Sequence, residues 1–284
     1  MRVALAWEFL LVMNNMPTIV VADGHVHVYP VYDIKAVFRN LIQNLDRLAG
    51  CAGSGTIENG IHKLAFLAES RERDFFGRLQ DQDKAIVSHD LEITSGPDPV
   101  CVTVSLRAVG RVCLVAGRQV VTRERLEILG LAMRATIPDG LPAVEVIRRV
   151  VEVGGIPVLA WSPGKWLFAR GRLVRDLITS DHGRVLCLGD TSLRPTLWPE
   201  PRSMQLVRKR GITVIPGSDP LPFAGEERFA GTYGFIYHGA FDALQPAASI
   251  GRMLAGPAAA IMPVGARCGT WDVARRLMCL RAMR

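Results

Sequence analysis

The sequence has no CxxC pair, although it contains six cysteines. Most of these cysteines lie in apolar stretches such as RVCLVAG and RVLCLGD. Cysteines without CxxC spacing, placed in apolar stretches, are atypical of a zinc ribbon or of the disulfide framework of a small secreted protein. We therefore expect buried free thiols in a reducing compartment, which favours a cytoplasmic location.

The sequence also lacks a run of about 20 uninterrupted apolar residues, so it predicts no membrane-spanning helix. The N-terminal stretch MRVALAWEFLLVMNNMP has some features of a signal peptide, but Glu8 interrupts it and no A-x-A-like cleavage site follows. We interpret residues 1–16 as an extension upstream of the native start. Residues 17–284 are then expected to form one domain that ends in helices.

Positive charge is not concentrated in one block, despite a formal net charge of +7 and a pI near 9.4. Small arginine groups occur within 170–175, 208–210 and 275–284, without the interleaved aromatic residues of a nucleic-acid interface. We expect these arginines to lie on solvated helix faces, which makes nucleic-acid binding the weakest functional hypothesis. A small anionic substrate is compatible with the charge, and the sequence does not indicate an oligomeric state.

Strand and helix patterns alternate along much of the chain. PTIVVADGHVHV is typical of a buried strand, and DIKAVFRNLIQNLDRLAG has helical spacing with Asp33 at the N-cap. The alternation becomes regular after residue 141, which indicates an α/β fold with parallel βα units arranged as a covered sheet or a closed barrel. Residues 84–121 differ, because short strand-like pieces broken by Gly and Pro predict a β-rich antiparallel excursion.

Reactive side chains follow several predicted strands: His25 and His27 follow the first, Glu69 the second, and Asp219 ends VIPGSD. The carboxyl ends of parallel strands meet at one edge, so these groups are expected to converge there. Imidazole and carboxylate ligands suit Zn, Mn or Fe. The alternative is structural, because His-x-His pairs occur by chance in many strands and Asp219 could cap a backbone N–H.

Two cations lie in neighbouring predicted loops, Lys165 in SPGKW and Arg194 in GDTSLRP. Either could neutralise an anionic substrate or a developing oxyanion. The alternative is that each is an ordinary surface residue.

Taken in order, four segments resemble the PHP family, the polymerase and histidinol phosphatase domain. DGHVHV resembles its D-x-H-x-H motif, LVAGRQVVTRERLEILGLA its strand pair with a metal-binding Glu, VGGIPVLAWSPG its GG-x-x-x-x-A-H-P segment, and GITVIPGSDPLP its closing G-S-D-A-H motif. The resemblance implies a distorted seven-stranded (β/α) barrel and a metal-dependent phosphoesterase. Amidohydrolase-like metal-dependent hydrolases are a more distant resemblance.

The resemblance also implies roles for individual residues. His25, His27 and Asp219 would hold the metal, and Glu69 would complete or bridge the site. A hydroxide on one or two divalent ions would attack a phosphoester or another acyl or amide bond, with Lys165 or Arg194 neutralising the oxyanion.

The chain departs from the family pattern at three expected ligands. Trp161-Ser162 stands where the family has His, Gln119 stands where it has Glu, and Leu221 stands where it has the last His. A full three-metal cluster is therefore not expected. The alternative function is a catalytically degenerate barrel that binds a small ligand or a partner.

Overall fold

The computed structural model describes residues 18–51, 60–162, 164–166 and 168–283, so the predicted extension at residues 1–16 lies outside the described residues. Twelve strands are present in this part of the chain: β1 (Thr18–Val26), β2 (Ile61–Leu67), β3 (Leu91–Ser95), β4 (Cys101–Leu106), β5 (Gly110–Val115), β6 (Gly117–Val121), β7 (Glu127–Leu131), β8 (Ile156–Ala160), β9 (Cys187–Thr191), β10 (Val214–Gly217), β11 (Tyr233–Gly239) and β12 (Met262–Gly265). The α-helices of the same residues are α1 (Ile34–Gly50), α2 (Phe75–Gln80), α3 (Ala143–Glu152), α4 (Phe168–Thr179), α5 (Arg202–Lys209), α6 (Pro246–Ala255) and α7 (Thr270–Ala282).

The strands form two mixed sheets, which confirms the α/β class. The larger sheet has the order β12-β11-β1-β2-β5-β4-β3, and the smaller has the order β10-β9-β8-β7-β6. Strand pairs β1–β2, β8–β9 and β9–β10 are parallel, whereas β7 is antiparallel to both of its neighbours. Within the described residues, the strands of the predicted barrel are therefore divided between two hydrogen-bonded sheets.

The two sheets meet at two short seams. At one seam, the N–H of Glu69 donates to the carbonyl of Gly117 (3.1 Å), and the N–H of Gln119 donates to the carbonyl of Glu69 (2.8 Å). At the other, the N–H of Asp219 donates to the carbonyl of His25 (2.9 Å). These bonds bring the end of β2 to β6 and the end of β10 to β1, so the carboxyl ends of β1 and β10 lie side by side.

The predicted β-rich excursion is present in part. Strands β3, β4 and β5 form an antiparallel meander at the edge of the larger sheet. Strand β6, which we had included in the excursion, belongs to the smaller sheet instead. The reason is that β6 pairs antiparallel with β7 along its whole length, from Gly117 opposite Leu131 to Val121 opposite Glu127.

Helix α1 shows how the local sequence produces these elements. The Asp33 carboxylate accepts from the N–H of Ala36 (3.1 Å) and caps the helix. Its apolar positions recur at helical spacing, and residues such as Phe38, Leu41 and Leu45 are buried against β1 and β2. Among the described residues, we find no helix that is both long and apolar enough to cross a membrane.

Candidate metal centre

Three potential metal ligands converge where β1 and β10 end. The Nε2 atoms of His25 and His27 lie 3.0 Å apart, and the Asp219 Oδ1 lies 3.6 Å from the former and 3.5 Å from the latter. Ligands at about 2.0–2.1 Å from a tetrahedral ion are about 3.3 Å apart, so these distances fit one shared ion. Among the residues that the structure describes, this is the only group of three or more such side chains.

Two glycines allow the strands to approach closely enough to form this group. A Cβ on Gly24 would lie 2.7 Å from the carbonyl oxygen of Pro216 in β10. A Cβ on Gly217 would overlap with the backbone of His25 in β1. The glycines of DGHVH and PGSD are therefore required by the contact that places the histidines beside Asp219.

The backbone and a neighbouring hydroxyl orient Asp219. Its φ of 52° lies in the left-handed region, which is uncommon for a residue with a side chain. The Thr191 Oγ1, at the end of β9, donates to Asp219 Oδ2 (3.3 Å). This contact leaves Oδ1 directed at the two histidines.

Asp23 organises the loops of the site and is not one of the three ligands. Its buried carboxylate accepts from the N–H groups of His25 (3.1 Å), Ser218 (2.9 Å) and Gly231 (2.8 Å), and also from the Ser218 hydroxyl. Burial raises the pKa of Asp23 to about 6, although these hydrogen bonds oppose the increase. One side chain thereby joins the end of β1 to the segments before Asp219 and β11.

His27 is neutral at physiological pH and therefore available as a ligand. Burial, reinforced by the neighbouring His25, lowers the pKa of His27 to about 4. A metal-binding imidazole must be unprotonated, so this environment favours coordination over protonation. The Tyr29 ring packs beside His27 with ring centroids 5.2 Å apart.

The structure does not bring Glu69 into the ligand group. Its carboxylate accepts from the N–H groups of Phe75 and Phe76 at the start of α2, and it lies 3.7 Å from the Arg118 guanidinium. Burial raises the pKa of Glu69 to about 7, and the Arg118 charge opposes this increase. The physical reason for its placement is that the free N–H groups of a helix start attract a carboxylate.

Arg194 and Lys165 are both paired with carboxylates. The Arg194 guanidinium binds Asp190 through two hydrogen bonds (2.7 and 2.6 Å) and is buried, so it is not a surface residue. Lys165 pairs with Glu127, which also accepts from the Ser162 hydroxyl (2.7 Å). A direct role for either cation with a substrate stays a prediction.

Glu127 is a residue of this edge that the sequence patterns did not indicate. Glu127 begins β7, and because β7 is antiparallel to β8, this first residue pairs with Ala160 at the carboxyl end of β8. Glu127 therefore lies at the same edge as the ends of the parallel strands, and its charge is among the influences on the pKa of His27. The one available signal was Trp161-Ser162, which stands where the resemblance implied a histidine, because Ser162 contacts Glu127 directly.

Arg276 is a second residue whose position was not predicted. We expected its arginine group to be solvated, but Arg276 is only 1% exposed. Its guanidinium binds the buried Glu226 carboxylate (2.6–3.0 Å) and also donates to the carbonyl of Asp219 (3.3 Å) and to the Ser192 hydroxyl (3.2 Å). The C-terminal helix α7 thus contacts the loop that carries a potential metal ligand.

The fold and this ligand group define an α/β protein with a three-ligand candidate metal centre. No protein-family model and no curated protein matches the chain. A crystal structure of PsfC from Pseudomonas syringae PB-5123 is similar, with a TM-score of 0.52 and 13% identity over 94% of this chain and 98% of that chain. This similarity shows a shared fold.

Two further structures are more weakly similar. The lesion-specific endonuclease PfuEndoQ from Pyrococcus furiosus has a TM-score of 0.47 and 12% identity, over 84% of this chain and 56% of that one. A two-domain protein from Bacteroides vulgatus containing a predicted PHP-like metal-dependent phosphoesterase has a TM-score of 0.46 and 9% identity, over 93% and 70%. Similarity at this level adds no argument about the activity of this chain.

Proposed function

We propose that this protein is a metal-dependent hydrolase of the phosphoesterase type that holds one divalent ion with His25, His27 and Asp219. The observation that carries the proposal is the convergence of three ligand atoms at distances suited to one ion. Two imidazoles and one carboxylate resemble the three-ligand sets of catalytic sites, in which a further position is open. When bound, the ion supplies Lewis-acid activation of water and of a phosphoryl oxygen.

We propose that β1, β2 and β6–β10 form the distorted seven-stranded barrel of a PHP-like domain. The hydrogen bonds at the two seams support this arrangement, because they link the ends of the two sheets. Residues 17–284 would then act as one domain. A buried apolar cluster that includes Val20 of β1, Leu129 of β7 and Ile215 of β10 supports a core shared by both sheets.

The remaining residues of the site position the ligands and the substrate in this proposal. Asp23 fixes the loop before Asp219, and Thr191 orients its carboxylate. Lys165, whose side chain is 31% exposed, binds a phosphoryl oxygen, while Glu127 holds the ammonium in place and the Ser162 hydroxyl donates to Glu127. Arg194 acts through Asp190 as a structural residue of the neighbouring loop.

The direct test of function is hydrolysis of a panel of phosphoesters by the protein loaded with Zn²⁺, Mn²⁺ or Fe²⁺. We expect turnover that chelation abolishes and that the metal restores, and we expect His25→Ala to lower kcat/KM at least 100-fold. Turnover that is insensitive to both chelation and His25→Ala would contradict the proposal.

Lys165 provides a finer prediction. We expect Lys165→Met to lower kcat/KM roughly 10- to 100-fold, because a charge-assisted contact to the phosphoryl group is lost. Lys35→Met is the matched control, since Lys35 forms an exposed ion pair with Asp90. Equal activity of the two variants would exclude a substrate contact for Lys165.

A degenerate barrel that binds a ligand without catalysis is the second candidate. It is favoured by the position of Glu69, whose carboxylate is bound to α2 and Arg118 and leaves three ligands in the group. Its distinguishing result is ligand binding that survives chelation, with no turnover on any phosphoester.

A further inference from the structure

A cavity of about 200 Å³ lies between the loops that follow β8 and β9, and three of the eight residues that line it are tryptophans. Trp161 and Trp166 come from the first loop and Trp198 from the second. The sequence contains five tryptophans, so three of them meet at this one place. An apolar cavity of about 150 Å³ can hold benzene, so this one has room for a single aromatic ring.

Two of the three indoles are held in place by the surrounding protein, and the third belongs to a residue whose backbone is hydrogen-bonded. Trp161 and Trp166 are buried, and the Trp166 Nε1 donates to the carbonyl of Ala160 (3.2 Å). Trp198 is 45% exposed, and its backbone carbonyl accepts from Arg194 (3.3 Å), which the buried Asp190 carboxylate fixes in turn. A large exposed indole on a fixed backbone favours stacking, because little conformational entropy is lost on binding.

The cavity is on the same edge of the fold as the candidate metal centre. The loop after β9 directly follows Thr191, the last residue of that strand, whose hydroxyl donates to the Asp219 carboxylate (3.3 Å). The loop after β8 contributes Ser162, which lines the cavity and donates to Glu127 (2.7 Å). Arg202 also lines the cavity, and no ion pair with this side chain occurs among the described residues. A phosphoester bound at the metal centre could therefore direct its alcohol portion into the cavity.

We propose that this cavity is the substrate subsite for an aromatic ring, so that the preferred substrates are phosphoesters whose alcohol portion carries such a ring. The inference rests on the proposed phosphoesterase function, which it makes more specific. Stacking of a planar ring on an aromatic side chain contributes about 1–3 kcal/mol, which corresponds to a preference of roughly 5- to 150-fold.

The test compares phenylphosphonate with ethylphosphonate, two non-hydrolysable probes that differ in the ring. Binding is measured by quenching of tryptophan fluorescence and by calorimetry, with the Zn²⁺-loaded protein. We expect phenylphosphonate to bind at least 5-fold more tightly, and we expect Trp198→Ala to remove most of this preference. Trp198→Phe, which keeps an aromatic face, should retain it.

Trp271→Ala is the matched control, because Trp271 is 87% exposed on α7. Equal binding of the two probes to the wild-type protein would overturn the inference without any variant. An unchanged preference in Trp198→Ala, or tighter binding of glucose 1-phosphate than of phenylphosphonate, would also overturn it.

The failure of this inference is distinguishable from the failure of the proposed function. Hydrolysis of phenyl phosphate and ethyl phosphate with equal kcat/KM would refute the ring subsite and support the phosphoesterase. Selective binding of phenylphosphonate without hydrolysis of any phosphoester would support the subsite and refute the phosphoesterase.

Discussion

The fold favours the neutral form of the His27 imidazole over its protonated form. Its pKa is about 4 in the folded protein and 6.5 in the unfolded reference, so the unfolded chain binds more protons here between these pH values. The contribution of His27 to the free energy of unfolding is therefore complete above pH 6.5 and is lost as the pH falls through 4. At most, this protonation lowers the free energy of unfolding by about 3 kcal/mol.

We expect the metal-free wild-type protein to lose more stability than His27→Gln as the pH is lowered from 6.5 to 4. Urea unfolding at several pH values measures this difference, and an NMR titration of the His27 ring should give a midpoint near pH 4. A midpoint near 6.5, with equal pH dependence in both proteins, would contradict the assigned environment.

Gly217 tests whether the close approach of β1 and β10 forms the site. Because a Cβ at this position would overlap with the His25 backbone, we expect Gly217→Ala to lower the free energy of unfolding by about 1–3 kcal/mol and to weaken metal binding. Gly251→Ala is the control, since a Cβ at Gly251 in helix α6 meets nothing within 4 Å. It should stabilise the protein slightly. Metal affinity equal to that of the wild type in Gly217→Ala would refute this role.

At the scale of elements, helix α7 holds the loop of Asp219 through Arg276. Removal of one partner from a buried ion pair typically costs about 3–5 kcal/mol, because the other charge is left unpaired. We therefore expect Arg276→Met to be strongly destabilised in urea unfolding and to bind the metal less tightly. Arg275→Met, which changes an arginine that is largely exposed, should do neither.

A double variant separates the charge from the packing. Glu226→Gln combined with Arg276→Met removes both charges, so its destabilisation should be smaller than the sum of the two single effects. A destabilisation of the double variant equal to the sum of the two single effects would show that Arg276 and Glu226 do not act as a pair.

The sequence allowed prediction of the elements whose signals are local. Helix α1 follows from its cap and its apolar spacing, and His25, His27 and Asp219 lie at the ends of strands that meet at one edge. Glu127 could not be found in this way, because its location depends on the antiparallel direction of β7. The Arg276–Glu226 pair joins residues 50 positions apart, so no local pattern indicates it.

Glu69 shows a different limit. The sequence indicates a carboxylate after β2. It does not indicate whether this carboxylate lies beside a metal ion or beside the start of a helix and an arginine. In the structure, the start of α2 and Arg118 are nearer than the ligand group. These contacts depend on tertiary geometry, which the local sequence around Glu69 does not indicate.

At the scale of the whole molecule, the candidate metal centre joins the two sheets. His25 and His27 belong to the larger sheet or its end, and Asp219 follows the smaller one. An ion bound by all three therefore links the sheets at one seam. Because a ligand that binds only the folded state stabilises it, metal at 100 times its Kd should add about 2.7 kcal/mol to the free energy of unfolding.

The number of metal ions bound per chain tests the central claim most directly. Elemental analysis of the purified protein, loaded with Zn²⁺ and freed of excess metal, should give one ion per chain for the wild type and almost none for His25→Ala or His27→Ala. His62→Ala is the control and should retain the ion, because His62 lies outside the ligand group. Equal and negligible metal in all four proteins would contradict the account.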